Sequence, residues 1–156
     1  HLKAGTASLY MLVDGATGGG FLADLAADGA EVMPLFPPNT DDELLDVAPR
    51  MVTCRNAQIV LHNFHGFWGR GMASLLLSSA TPDALAQHLK RNLYIEDPDG
   101  ELCILRFHDP RVMARLSETL LDDQTAHFFG DAIEAFLFEG AAGEFRQWSR
   151  HDAVPA

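Results

Sequence analysis

One short segment concentrates most of the chain's capacity for chemistry. Arg106, His108, Asp109 and Arg111 fall within Leu105-Arg106-Phe107-His108-Asp109-Pro110-Arg111-Val112, so a carboxylate stands between two guanidiniums. Two uses fit these residue types. In a structural use, Asp109 caps the helix that Pro110 begins, and a bidentate Arg–carboxylate pair pins a strand to that helix. Arg106 then stands at the end of a central strand, where burial without a partner is costly. In a catalytic use, Arg106 and Arg111 hold an anionic substrate beside Asp109, as a small cytosolic hydrolase or transferase would. The structural use ranks first, recognition of a protein partner second and catalysis third.

Other candidates give less. His62 and His65 are neighbours on one helix face. Zinc sites want three or four ligands and no third is evident, so they read as solvated histidines. His88 falls on the polar side of its helix, with no motif around it. Asp14-Gly15-Ala16-Thr17-Gly18-Gly19-Gly20 lacks the Lys-Ser/Thr ending of a phosphate loop and the spacing of a dinucleotide fingerprint. It reads as a flexible strand-to-helix turn. Asp41, Asp42, Glu43 and Asp46 read as a solvated helix start rather than a cation site. No serine has a nucleophile-elbow context, and Cys54 lies in no nucleophile motif. The sequence therefore names no catalytic, cofactor-binding or metal-binding residue.

The elements that must position these residues follow from apolar periodicity and turn chemistry. Ser8 to Val13 and Glu31 to Phe36 read as strands, with a short helix over Phe21 to Ala27 between them. Asp41 to Val47 gives one or two helical turns, ended by Pro49. Between residues 55 and 68, Ala57, Val60, Leu61, Phe64, Phe67 and Trp68 share one helical sector, and Gly66 marks the stop. Met72 to Leu77 is a buried strand. Thr81-Pro82-Asp83 starts a helix to about Asn92 that buries Leu85, Ala86 and Leu89. Asp97-Pro98-Asp99-Gly100 turns a hairpin between Leu93–Glu96 and Glu101–His108. The second of these strands is apolar on both faces, which predicts a central position. A helix from Pro110 to about Leu121, a short helix over Gln124–Phe129 and a hairpin of Phe136–Phe138 with Phe145–Trp148 complete the pattern. The expected fold is α+β: one domain over residues 1–156, a small mixed sheet packed by several short helices, and a C-terminal hairpin.

Composition narrows the function classes. The chain has 156 residues, is 47% hydrophobic and carries a formal net charge of -11. A chain this long buries roughly 70% of its unfolded surface, enough for one core. Its excess of acid repels phosphate backbones and anionic lipids, which argues against nucleic-acid and membrane-surface partners. No stretch approaches the ~18 apolar residues of a membrane span. No secretory signal is visible, and Cys54 and Cys103 form no disulfide framework, so a cytoplasmic protein with buried thiols is expected. Residues 1–50 hold 8 acids and 2 bases, residues 51–100 hold 4 of each, and residues 101–156 hold 10 acids and 5 bases. The neutral middle contains Phe64, Phe67 and Trp68, which makes them the candidate partner-binding patch.

The Arg106–Val112 motif, followed by a helix and by Phe128-Phe129-Gly130, resembles the type VI secretion effector adaptors, also called effector chaperones. Leu9–Ala16, Pro34-Leu35-Phe36, Pro49, the Gly66–Gly71 segment and the Asp99-Gly100 hairpin agree in order. The resemblance covers roughly residues 8–140, with His108 where the motif usually has another aromatic. It implies a cytoplasmic, non-enzymatic bacterial protein without a cofactor. Such a protein binds the N-terminal or PAAR-associated part of a secreted toxin effector and helps load it onto the spike protein. In that reading Arg106, Asp109, Pro110 and Arg111 serve structure or partner binding.

Overall fold

The computed structural model describes residues 6–37, 39–53 and 57–150. Its elements are β1 (Ser8–Val13), α1 (Gly19–Ala27), β2 (Glu31–Pro34), α2 (Asp42–Val47), β3 (Arg50–Thr53), α3 (Ala57–His65) and β4 (Ala73–Ser78). They continue with α4 (Pro82–Arg91), β5 (Tyr94–Glu96), β6 (Leu102–Ile104), α5 (Pro110–Thr119), α6 (Asp122–Phe129), β7 (Ala135–Glu139) and β8 (Phe145–Ser149). Six strands make one sheet in the order β2-β3-β1-β4-β7-β8, while β5 and β6 form a separate ribbon. The architecture is a single α+β domain, as expected, and every described ladder is antiparallel rather than mixed.

The central strand explains the layering. Along β1, Tyr10 and Leu12 point to one face and Met11 and Val13 to the other, and all four are buried. On the first face they meet Leu85 and Leu89 of α4, Met113 of α5, and Phe128 and Phe129 of α6. On the second they meet Leu22 and Leu25 of α1 and Phe64 of α3. A strand covered on both faces has no polar alternation to show, hence the unbroken apolar run. At the far side of the sheet, Phe136 of β7 sits opposite Trp148 of β8, and both pack on Phe128 and Phe129 with ring centroids 4.9–6.1 Å apart.

Both capped helix starts form as the sequence signals. The Thr81 hydroxyl accepts from Ala84 N at 3.3 Å, and Asp109 accepts from Arg111 N at 2.9 Å. Three expectations need correction. Residues Arg50–Thr53, left outside any element by the sequence reading, form β3 and pair with both β1 and β2. The second hairpin strand is not central: β6 pairs with β5 alone, and Leu102 is 70% exposed. Only after the ribbon does the chain enter the core, through buried Leu105 and Phe107. Cys103 lies on that ribbon as an exposed free thiol, against the expected burial, and Cys54 lies outside the described residues.

Candidate functional site

The motif is built against the end of β1. The Asp14 carboxylate closes a turn on itself: Oδ1 accepts from Ala16 N at 3.0 Å and Oδ2 from Thr17 Oγ1 at 2.9 Å. Gly15 is demanded here, because a Cβ would run into the Ala48 carbonyl. The loop expected to be a flexible turn thus has a defined hydrogen-bonded geometry. The motif turn docks beside it. Ser74 Oγ, at the start of β4, donates to the Phe107 carbonyl at 2.8 Å, and Asp109 N closes the turn on the Arg106 carbonyl at 2.9 Å.

The charges pair differently from the sequence expectation. Arg106 is in a turn beyond the ribbon, with a side chain 54% exposed and its guanidinium 3.7 Å from Asp14 Oδ2. Asp109 is buried and takes its bidentate pair from Arg111, Nε to Oδ1 at 2.9 Å and Nη2 to Oδ2 at 2.7 Å. Burial alone would raise the Asp109 carboxyl. The Arg111 hydrogen bonds outweigh it and hold the group below the usual carboxylate range. The Arg111 guanidinium is raised in return and remains largely exposed. Gly71, at φ +65, lets the chain after α3 pass close to that guanidinium. Glu139 Oε2 accepts from Gly69 N at 2.6 Å, and with Arg70 and Arg111 these residues border a shallow cavity of about 370 Å³.

His108 is the unusual member. Its ring is buried and neither nitrogen has a hydrogen-bond partner. Nε2 lies 4.0 Å from Asp14 Oδ1. Burial pushes the imidazole below its ordinary value, opposed by Asp14 and reinforced by Arg106. The site therefore holds a neutral imidazole, a spent carboxylate and one loosely held guanidinium. Asp14, far away in sequence, was the member that sequence reasoning missed. Its signal was the Asp-Gly step at a strand end.

The remaining candidates separate. Phe64 and Phe67, expected on a partner-binding patch, are buried at 6% and 5%. Phe67 meets Phe21 edge-on, and Trp68 packs half-buried between Phe64 and the stacked ring of Phe145. Phe64 and Phe67 are core, because α3 lies against the second face of the sheet, whereas Leu61 of the same stripe is exposed. His62 and His65 are exposed, as expected, and no metal-holding group of His, Cys, Asp or Glu occurs among the described residues. His88, expected on a polar face, is buried between α4 and α6, with Nε2 2.7 Å from the Phe128 carbonyl.

The family model for a domain of unknown function, DUF4123, matches residues 9–127. The chain belongs to the DUF4123 family. The matched span runs from β1 into α6, so the Arg106–Val112 segment and its Asp14 partner lie within it. Curated proteins and solved structures gave no match. No helix among the described residues of this DUF4123 chain is long and apolar enough to cross a membrane.

Proposed function

We propose that this DUF4123 chain is a non-enzymatic adaptor that binds a secreted toxin effector of a type VI secretion system and promotes its loading onto the spike protein. It works in the cytoplasm and needs no cofactor. The family is associated with type VI effector adaptors, and the match extends over most of the chain. The observation that carries the reading is the state of the motif. Both Asp109 oxygens are engaged by Arg111, and the same carboxylate caps α5. Residues spent on holding a turn to a helix serve a scaffold better than a turnover site, where a base must be free to exchange a proton. The alternative, an enzyme for an anionic substrate using Arg106, Asp109 and Arg111, would require that pair to open.

Co-expression with the effector encoded beside its gene, followed by size-exclusion chromatography, tests the reading. A single co-eluting complex is expected. Separate elution under gentle conditions would refute it.

A further inference from the structure

The β5–β6 ribbon stands outside the main sheet with apolar side chains that the described residues leave substantially exposed. Tyr94 and Ile95 are 39% and 45% exposed, and Leu102 and Ile104 are more so. Tyr94 pairs with Ile104 and Ile95 with Cys103, so both faces of the ribbon carry apolar groups. Among the described residues, both outer edges of the ribbon lack a strand partner. A two-stranded ribbon of three-residue strands contributes little stability alone, and exposing such groups is a cost without a fold benefit.

Beneath the ribbon runs a groove of about 420 Å³, with apolar walls from Tyr94, Ile95, Leu105, Leu116, Leu120 and Phe128. Its polar rim is asymmetric. Asp123 lines one side, and exposed Asp122 adjoins it at the start of α6. The ribbon and its turn carry four more acids, Glu96, Asp97, Asp99 and Glu101, outside the lining of the groove, with no base among residues 92–105. None of these six carboxylates forms an ion pair among the described residues. Arg91 and His127 line the groove as well, and Arg91 is its one cationic guanidinium.

We infer that this groove and ribbon form the cargo-docking surface. Its occupant is an amphipathic segment of the effector, with apolar residues in the groove and Lys or Arg toward the acids of the ribbon and of the α6 start. The inference rests on the adaptor reading and adds a location and a chemistry to it. The charge pattern selects the occupant: an apolar groove alone would take any apolar segment, whereas six carboxylates that form no ion pair among the described residues repel acidic ones and attract basic ones. The same acids keep the empty groove from associating with other copies of this acidic chain.

The test uses the full chain and the effector encoded beside its gene, with binding measured by calorimetry. Ile95→Asp with Leu102→Asp, and separately Glu96→Lys with Glu101→Lys, change exposed side chains only, so each pair should keep the wild-type melting temperature within about 3 °C. Each should weaken binding at least about tenfold. Wild-type affinity should also fall as salt rises. Wild-type binding that both pairs leave intact would overturn the docking surface while the adaptor reading stands. An effector that does not bind the wild-type chain would refute both. A wild-type dimer in sedimentation that Ile95→Asp with Leu102→Asp dissociates would give the surface to a second copy and overturn the cargo assignment.

Discussion

Replacing Asp109 separates the scaffold role of the motif from any other. Asp109→Ala removes the acceptor for Arg111 N, which caps α5, and both contacts to the Arg111 side chain. Loss of a helix cap costs about 1 kcal/mol, within a range of roughly 0.5–2. The guanidinium is 78% exposed, so water replaces much of what the ion pair supplied. The cap therefore dominates, and a total of about 1–2 kcal/mol lowers the melting temperature by about 2–8 °C for a chain of this size. Asp109→Asn keeps a capping acceptor and loses the charge, so it should cost clearly less. Its deficit should also depend on pH. A carboxyl held below its unfolded value stabilises the fold above the unfolded pKa of about 4, and that contribution disappears as pH falls through the folded value. Wild type and Asp109→Asn should therefore converge in strongly acidic buffer and differ by a constant amount near neutrality. Thermal unfolding followed by circular dichroism reads wild type and both variants. Wild-type melting of Asp109→Ala would refute the capping argument. Lost effector binding in Asp109→Asn at unchanged melting temperature would move the motif from scaffold to recognition.

Three further outcomes follow from the packing. His108→Phe removes two buried nitrogens that have no hydrogen-bond partner and should be neutral or stabilising by about 1 kcal/mol. The wild-type imidazole is held below its unfolded value, so wild type loses stability as pH falls below about 6.5, and denaturant titrations at several pH values should show a flatter profile for the variant. His88→Ala strips the Phe128 carbonyl of its partner inside the α4–α6 contact and should cost about 1–3 kcal/mol in urea unfolding. Phe64→Ala should cost about 3–5 kcal/mol, and Trp68→Ala should cost less because that ring is half-buried; a reversed order would show that Trp68 anchors this face.

The parts of the fold written locally were the legible ones. Thr81-Pro82 and Asp109-Pro110 announce their helices because a cap and a proline act within one turn, and both caps form. β1 reads as a strand because burial on both faces leaves an unbroken apolar run. β3 escaped notice because four residues after Pro49, Met51 and Val52 pointing to opposite faces, carry no period. Leu102-Cys103-Ile104 misled for the opposite reason: apolar groups on both sides of a strand signal burial, and here they face solvent. The candidate site was half legible. Asp109 as a cap follows from its neighbours, but the choice of Arg111 over Arg106 as its partner depends on the turn that sends Arg106 back toward Asp14. Likewise, α6 buries a histidine that α4 alone would leave wet.

The order of the strands has a consequence for synthesis. Once residue 78 has emerged, β2, β3, β1 and β4 can join into a four-stranded sheet, and α1 and α3 are available to cover one side of it. The opposite side, with Tyr10, Leu12, Met51 and Leu76, lacks its helical cover until Leu85 and Leu89, then Met113, Phe128 and Phe129, have been made. A nascent chain thus carries an uncovered apolar surface through the translation of roughly another fifty residues, at about 5–20 residues per second. Ribosome pausing within α4 to α6 would prolong that exposure, so synonymous codon changes there should alter soluble yield more than the same changes before residue 78.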